Sequence, residues 1–439
     1  MKLILCAAML ALTSFGLADL QIIDLSGHWD VRLDPQDYGI ENAWWGEAFS
    51  EQLSLPGSLQ NQGFGNDPGP DTPWIGDVRQ EEWRKPKYDP YRSAENFKWP
   101  FWLQPDKYYK GAAWYQKTVT IPEDWAGQRI TLTLERPHWE TSVWIDSEPA
   151  GSYNSLSTPH VYNLSRQLTP GEHVLTVCVD NRMIINVGPN SHSVSDHTQS
   201  NWNGLVGRLQ LRAQSPTWID DLQVYPDLER NAVKVVAKIG NPIGGRLSFQ
   251  LLYDGQPAAE ETIFTLDSAV VEKSIELKDD ARLWDEFNPN LYTLNTRLET
   301  PAGKDERSTV FGMREVGVDG TRITLNDRPL FLRGTLECAI FPLTGYPPTD
   351  VESWKRIVRV CKAHGLNHLR FHSWCPPDAA FTAADELGFY LQVECASWAN
   401  QGSTIGDGHP IDQWLYAEGE RITRAYANHP SLVPVSYTH

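Results

Sequence analysis

Apolar and polar positions change their rhythm three times along the chain. From about Gln21 to Arg212, short runs alternate with period two. Ile130, Leu132 and Leu134 are interleaved with Thr131 and Thr133, Val143 and Ile145 flank Trp144, and Val174 to Val179 forms another such run. That period belongs to half-buried strands, so residues 20–215 are predicted to form an all-β domain, a sandwich or jelly roll. Within it, Leu59 to Asp106 has no periodicity but holds Trp74, Trp83, Trp99 and Trp102 among prolines, and its aromatic content predicts an ordered loop. A second β region over 216–312 has the length and strand spacing of an immunoglobulin-like sandwich, with Ala232 to Ile239, Leu247 to Tyr253 and Leu291 to Leu298 as strands.

From Arg322 onward strands and helices alternate. Strands are expected at Pro329 to Gly334, Asn367 to Phe371, Phe389 to Glu394 and Leu432 to Ser436, and helices from Val351, from Asp378 and near Ile411 to Ala427. Val351, Trp354, Ile357, Val358 and Cys361 fall on one helical face; Thr349 with Glu352 reads as a capping box, and Gly365 as the stop. Pro376-Pro377 opens the second helix and Gly388 closes it. Alternation at this spacing implies a parallel sheet over 313–439, open or closed into a barrel.

Composition narrows the function classes. Thirty-eight basic residues against 56 acidic ones give a net charge of −18 over 439 residues. This disfavours attraction to nucleic acid or to anionic membranes. Lys2, the apolar run Leu3 to Leu17 and the small-residue ending at Ala18 read as a secretory signal peptide over 1–18, so the protein is expected to be secreted or periplasmic. Cys6 would leave with it; Cys178, Cys338, Cys361, Cys375 and Cys395 are odd in number and widely spaced, as buried apolar residues rather than a disulfide framework. With no CxxC pair and no HExxH, no cofactor is expected, and metal dependence is left open. The count of 18 tryptophans, twelve of them between Trp29 and Trp202, points towards ligands with an apolar face.

Folds of this kind place their sites at the carboxyl ends of the parallel strands. Arg333, Glu337 and Cys338 follow the first; Arg370, His372 and Trp374 follow the second; Glu394 and Trp398 follow the third. Cation, imidazole, carboxylates and indoles together suit a sugar, whose hydroxyls take polar partners while its ring face stacks on an aromatic. Arg370, His372, Trp374, Glu394 and Trp398 are therefore the candidate substrate-binding residues. The bland alternatives are an Arg370 to Glu394 pair across neighbouring strands, a scaffold role for His372, loop-core positions for the two indoles and a solvated Glu337.

The ordered sequence context adds a resemblance. Leu325 to Gly334 (LNDRPLFLRG) resembles the N-G-K-P-[VL]-F-L-R-G entry into the barrel of glycoside hydrolase family 2, the β-galactosidase and β-glucuronidase group. Phe311 to Val316 resembles its F-G-F-R-E-[VI] link. Gly365 to Arg370 and Ala384 to Leu391 are similar to G-x-N-x-[VI]-R and C-D-E-x-G-[LI]-Y-[VL]; Leu25 to Trp29, Leu55-Pro56-Gly57, Trp114-Tyr115 and Leu283 to Tyr292 fit the domains upstream. The resemblance spans nearly the whole mature chain and implies the first half of a (β/α)8 barrel behind two sandwiches, an exported retaining glycosidase, an oligo- or polysaccharide substrate, and an arginine at 370 that orients the nucleophile.

Departures matter as well. Arg370 to Pro377 replaces R-T-S-H-Y-P and brings in Trp374, and Val393 stands where the family has Asp before Glu394. The family's acid/base lies in an Asn-Glu pair after a run like Asn428 to Ser436, whereas here Tyr437-Thr438-His439 follow. Retention requires two carboxyls roughly 5 Å apart, so no catalytic residue is assigned, the chain is expected to be a truncated form beyond whose residue 439 both carboxylates lie, and no turnover is expected of it. The competing readings are a non-catalytic carbohydrate-binding protein and an adhesion module built on the two sandwiches. Oligomeric state is not legible in the residues.

Overall fold

The computed structural model describes residues 21–69, 72–75, 84–98, 106–196, 201–398 and 404–436; residues 1–18 of the expected signal and Trp83, Trp99 and Trp102 lie outside them. In the first region six antiparallel strands run in the order Glu51–Leu55, Gly27–Asp34, Ala112–Ile121, Gly171–Asp180, Glu140–Ile145 and Glu148–Tyr153. A second sheet orders Ile22–Asp24, Gly204–Gln214, Arg129–His138 and His160–Asn163, with Gly57–Ser58 also paired to Gly204–Gln214. Period-two patterning has its expected result: Ile130, Leu132 and Leu134 of one sheet meet Leu175, Val177 and Val179 of the other in a shared core.

The second region also stacks two sheets. One orders Trp218–Asp227, Ala232–Gly240 and Val270–Glu276; the other orders Gln256–Pro257, Arg246–Tyr253, Tyr292–Thr300 and Gly303–Phe311, with Thr262–Thr265 on Arg246–Tyr253. Leu222, Val235, Phe249, Leu294 and Leu298 fill the space between them.

The strand expected at Pro329 to Gly334 is displaced. Asn326 and Asp327 both take left-handed backbone, φ 52° and 61°, so the chain turns back tightly and Arg328–Pro329 pairs with Arg322–Leu325 in a small three-stranded sheet. The parallel sheet begins only at Gly334–Glu337 and continues through His368–Phe371, Tyr390–Glu394 and Leu432–Ser436 in that order. Gly334 admits no side chain, since a Cβ there would lie 2.4 Å from Nδ1 of His368 on the next strand.

Helices Val351–Ala363, Asp378–Leu387 and Pro410–Tyr426 connect the strands. The first is capped by Asp350, whose carboxylate accepts the N–H of Ser353, and not by Thr349. Gly388 ends the second in left-handed geometry at φ 66°. Trp354, Val358, Phe381, Ala384, Ile422 and Tyr426 of the helices pack on Leu369, Phe371, Leu391 and Val393 of the strands. Trp139, Leu156, Val187 and Val194 of the first region complete that same core, so the α/β part is covered on this side by the sandwich. Cys178, Cys375 and Cys395 are buried, Cys338 and Cys361 half-buried, and all five are free thiols. No helix among the described residues is long and apolar enough to cross a membrane.

Candidate functional site at the carboxyl ends of the parallel strands

Because Leu369, Phe371, Leu391 and Val393 face the helices, strand alternation turns Arg370, Gln392 and Glu394 to the opposite face of the sheet. Arg370 donates from Nε and Nη2 to Oε1 of Glu394, both at 2.6 Å. The other carboxylate oxygen, Oε2, accepts the backbone N–H of Ser373 at 2.7 Å. Glu394 is only 2 % exposed, so its carboxylate needs partners within the protein, and the Arg370 guanidinium and the Ser373 N–H are among them. The cross-strand pair is thus real, and it fixes both side chains at the mouth of the sheet.

His372 follows on the turn after His368–Phe371 and is tied at its backbone, its N–H donating to the carbonyl of Glu337 at 2.9 Å. Its ring centroid lies 4.7 Å from that of Trp398 and 4.5 Å from that of His192. His192 also lies 5.4 Å from Trp398, so three rings from three segments form one cluster. Glu337, for which the sequence offered a place in the cleft with a solvated position as the alternative, sits at the end of the first parallel strand with Oε2 accepting the N–H of Ala339 at 2.9 Å. Burial outweighs that bond and pushes its carboxyl up to about 7. Its neighbour Cys338 is raised to about 11, by burial first and the charge of Glu337 second.

Of the five candidates, the structure brings Arg370, His372, Glu394 and Trp398 to one edge of the sheet. Trp374 belongs elsewhere: it is 3 % exposed, its ring edge-on to Phe341 and Phe371, and its Nε1 donates to the carbonyl of Glu337 at 3.2 Å. The core position, not the stacking position, is the one it occupies. Arg333 is drawn away as well, pairing with Glu286 at 3.0 Å.

Sequence reasoning missed the contribution of the first region. The segment from Val187 to Asp196 leaves its sandwich and lies on the turn after Arg370. The backbone N–H of His192 donates to Oγ of Ser373 at 2.9 Å, Ser193 Oγ donates to the carbonyl of Ser373 at 2.5 Å, and the N–H of Trp398 donates to the carbonyl of Val187 at 3.0 Å. The dense run Ser191-His192-Ser193-Val194-Ser195-Asp196 was the available signal, since so many small polar residues together suit a loop that must satisfy another loop's backbone. Among the described residues no group of three or more His, Cys, Asp or Glu is placed to hold a metal ion.

The model for glycosyl hydrolases family 2 matches residues 217–314, the second sandwich. Over those residues the chain is similar to glycosyl hydrolases of family 2. It is 24 % identical over 436 residues to β-galactosidase 2 of Enterobacter cloacae, covering 93 % of this chain and 39 % of the relative. With a β-glucuronidase of Paenibacillus borealis it shares 24 % over 336 residues, 72 % of this chain and 49 % of the relative. Among solved structures, a β-glucuronidase of Ruminococcus gnavus superposes with a TM-score of 0.73 at 19 % identity, covering 95 % of this chain and 66 % of that one, which establishes likeness of fold. This chain spans between about a third and a half of the length of the curated relatives it matches.

Proposed function

We propose that this protein is an exported glycoside hydrolase that cleaves O-glycosyl bonds with retention, and that residues 1–439 supply a jelly-roll domain, an immunoglobulin-like domain and the first four strands of its barrel. The observation that carries the reading is the clamped Glu394, held by Arg370 and the Ser373 N–H beside the ring cluster of His372, Trp398 and His192. With one oxygen on Arg370 and the other on the Ser373 N–H, the Glu394 carboxylate is a fixed acceptor, so Glu394 and Arg370 orient the sugar and its catalytic partners. Trp398 offers the stacking surface, and His372 and His192 offer hydroxyl partners. No residue of 1–439 is assigned as acid/base or nucleophile. The Asn-Glu expected after Ser436 and the later nucleophile would complete the pair, and export rests on the pattern of Lys2 to Ala18.

The test is hydrolysis of aryl β-galactosides and β-glucuronides by the product of the full reading frame and by residues 1–439 alone. Release by the former and none by the latter is the expected result; release by 1–439 at rates above buffer would refute the assignment of the carboxylates. The names of the relatives place uronic acids and galactosides first in the panel.

A further inference from the structure

Outside this site, the outer face of the five-stranded sheet of the first region is not packed shut. Arg129, Thr131 and Thr133 on one strand stand in register with Gln214, Arg212 and Gln210 on the next, giving a floor of hydroxyls, amides and guanidiniums. The second region and the helix Pro410–Tyr426 wall it in, leaving a cleft of about 670 Å³. That is the size of small-ligand sites, which favour junctions between structural units.

Partner accounting around the cleft is lopsided. Asp305 accepts the N–H of Ile219 at 2.8 Å and Nε2 of Gln214 at 3.3 Å. Asp220 accepts Nε1 of Trp218 at 3.1 Å and Nη2 of Arg424 at 2.7 Å; Asp221 accepts the N–H of Leu222 and Nε2 of Gln223, both at 3.0 Å; Glu306 pairs with Arg297 at 2.6 Å. The acids are therefore spoken for. The guanidiniums are not: Arg212 has one loose pair, with Asp305 at 3.6 Å. Arg129 bonds Gln214 through Nη1 at 2.8 Å but has a buried Nε without a partner, and the guanidinium of Arg307 makes no hydrogen bond or close ion pair among the described residues, Asp221, Asp305 and Asp220 attracting it only at longer range. Burial lowers the affinity of both Arg129 and Arg307 for their proton and outweighs the pull of Asp220, Asp221 and Asp305, so these are costly positions for a guanidinium whose donors are not all bonded. A buried donor left open calls for an acceptor.

We propose that this cleft is a second, non-catalytic binding site for an anionic saccharide, in which Arg129, Arg212 and Arg307 receive a carboxylate or sulfate and Thr133 and Gln210 receive hydroxyls. Bidentate guanidinium recognition explains why arginine and not lysine lines the floor. The indole of Trp218 is already engaged, with the guanidinium of Arg129 4.2 Å over its ring and Gly240 packed close against it, so charge and hydroxyls, not a ring face, select the ligand.

Isothermal titration of the full chain with a galacturonate tetrasaccharide, a neutral galactose tetrasaccharide and inorganic sulfate separates the outcomes. Binding of the uronate oligomer, weakened at least tenfold in Arg307→Gln and in Arg129→Gln and weakened several-fold in the uncharged floor variant Thr133→Val, is expected. Arg370→Ala should leave it unchanged. Binding lost in Arg370→Ala and kept in the cleft variants would assign the ligand to the other site and overturn the proposal. Equal affinity for sulfate, or no binding of any probe, would overturn it too. Thr133→Val, an isosteric change at a half-buried floor position, keeps the test open if either arginine variant fails to fold.

Discussion

His429 offers the most demanding check on the energetics of the α/β part. Its Nδ1 faces Oδ2 of Asp385 at 2.6 Å, its Nε2 lies 3.4 Å from Asp378, and its ring stacks on Phe381. Asp385 is 2 % exposed, and its other oxygen accepts the N–H of Ser431 at 2.9 Å. Burial alone would lower the affinity of this imidazole for its proton, but the two carboxylates override it and raise it to about 10; Arg208 beside Asp378 and Arg314 near Asp385 are the other charges in reach. His429 is thus a cation at neutral pH. Removing one partner of a buried pair costs about 3–5 kcal/mol. Since Asp385 keeps the Ser431 N–H, the lower end applies to His429→Gln, about 3 kcal/mol, or more than a hundredfold in the opening equilibrium.

Native-state hydrogen exchange reads this locally, because the amide of Leu391 donates to the carbonyl of Ser431 at 2.8 Å, directly beside the pair. The sign follows from the raised affinity: the stabilisation is complete below the unfolded value of about 6.5 and disappears as pH climbs through the folded value. The protection lost in His429→Gln should therefore be largest below pH 7 and shrink towards pH 10 once intrinsic exchange rates are divided out. A difference independent of pH would mean that packing on Phe381, not charge, accounts for the loss, and the reasoning would fail.

Three further outcomes are expected. Glu418 is fully buried, with Oε1 accepting Ser155 Oγ and the Leu156 N–H at 2.9 Å each and Oε2 accepting Arg421 at 2.9 Å; Glu418→Ala should destabilise the junction by about 3–5 kcal/mol and lower the urea midpoint, and an unchanged midpoint would show the junction carries no load. Glu337→Gln should stabilise the protein at pH 8 by up to about 2 kcal/mol after discounting partial exposure, and not at pH 4, because a carboxyl raised to about 7 loses its contribution as pH rises through that value; thermal melts at the two pH values decide it. In the full reading frame, Arg370→Ala should lower kcat at least a hundredfold while Trp398→Ala raises KM several-fold; the reverse split would exchange their roles.

What could be read from the residues alone follows a physical division. Helices Val351–Ala363 and Asp378–Leu387 and the strands around His368 and Tyr390 were legible because one buried face and local punctuation, Gly365 and Gly388, specify them within a dozen residues. The strand start at Gly334 was not, because Pro329 to Gly334 is apolar enough for a strand while the turn at Asn326-Asp327 determines which residues pair. Trp374 and Trp398 illustrate the same limit at the site. Both follow a parallel strand and both are indoles, yet one is swallowed by Phe341 and Phe371 and the other is left beside His372. Part of what separates them lies some two hundred residues earlier in the chain, in the segment Val187 to Asp196, where the carbonyl of Val187 takes the N–H of Trp398. The pair Arg370 and Glu394 was legible as a pair, since the two lie at the ends of adjacent parallel strands and on one face, Glu394 being two residues beyond Gln392, the register partner of Arg370. Its meaning was not. A salt bridge alone would be a structural tie, but the second oxygen of Glu394, taken by the Ser373 N–H on the very turn that the first region's loop holds down, makes the carboxylate a shared fixture of two regions. Displacing that loop must therefore disturb the Arg370 and Glu394 site even though it contains none of the residues that the parallel strands themselves supply.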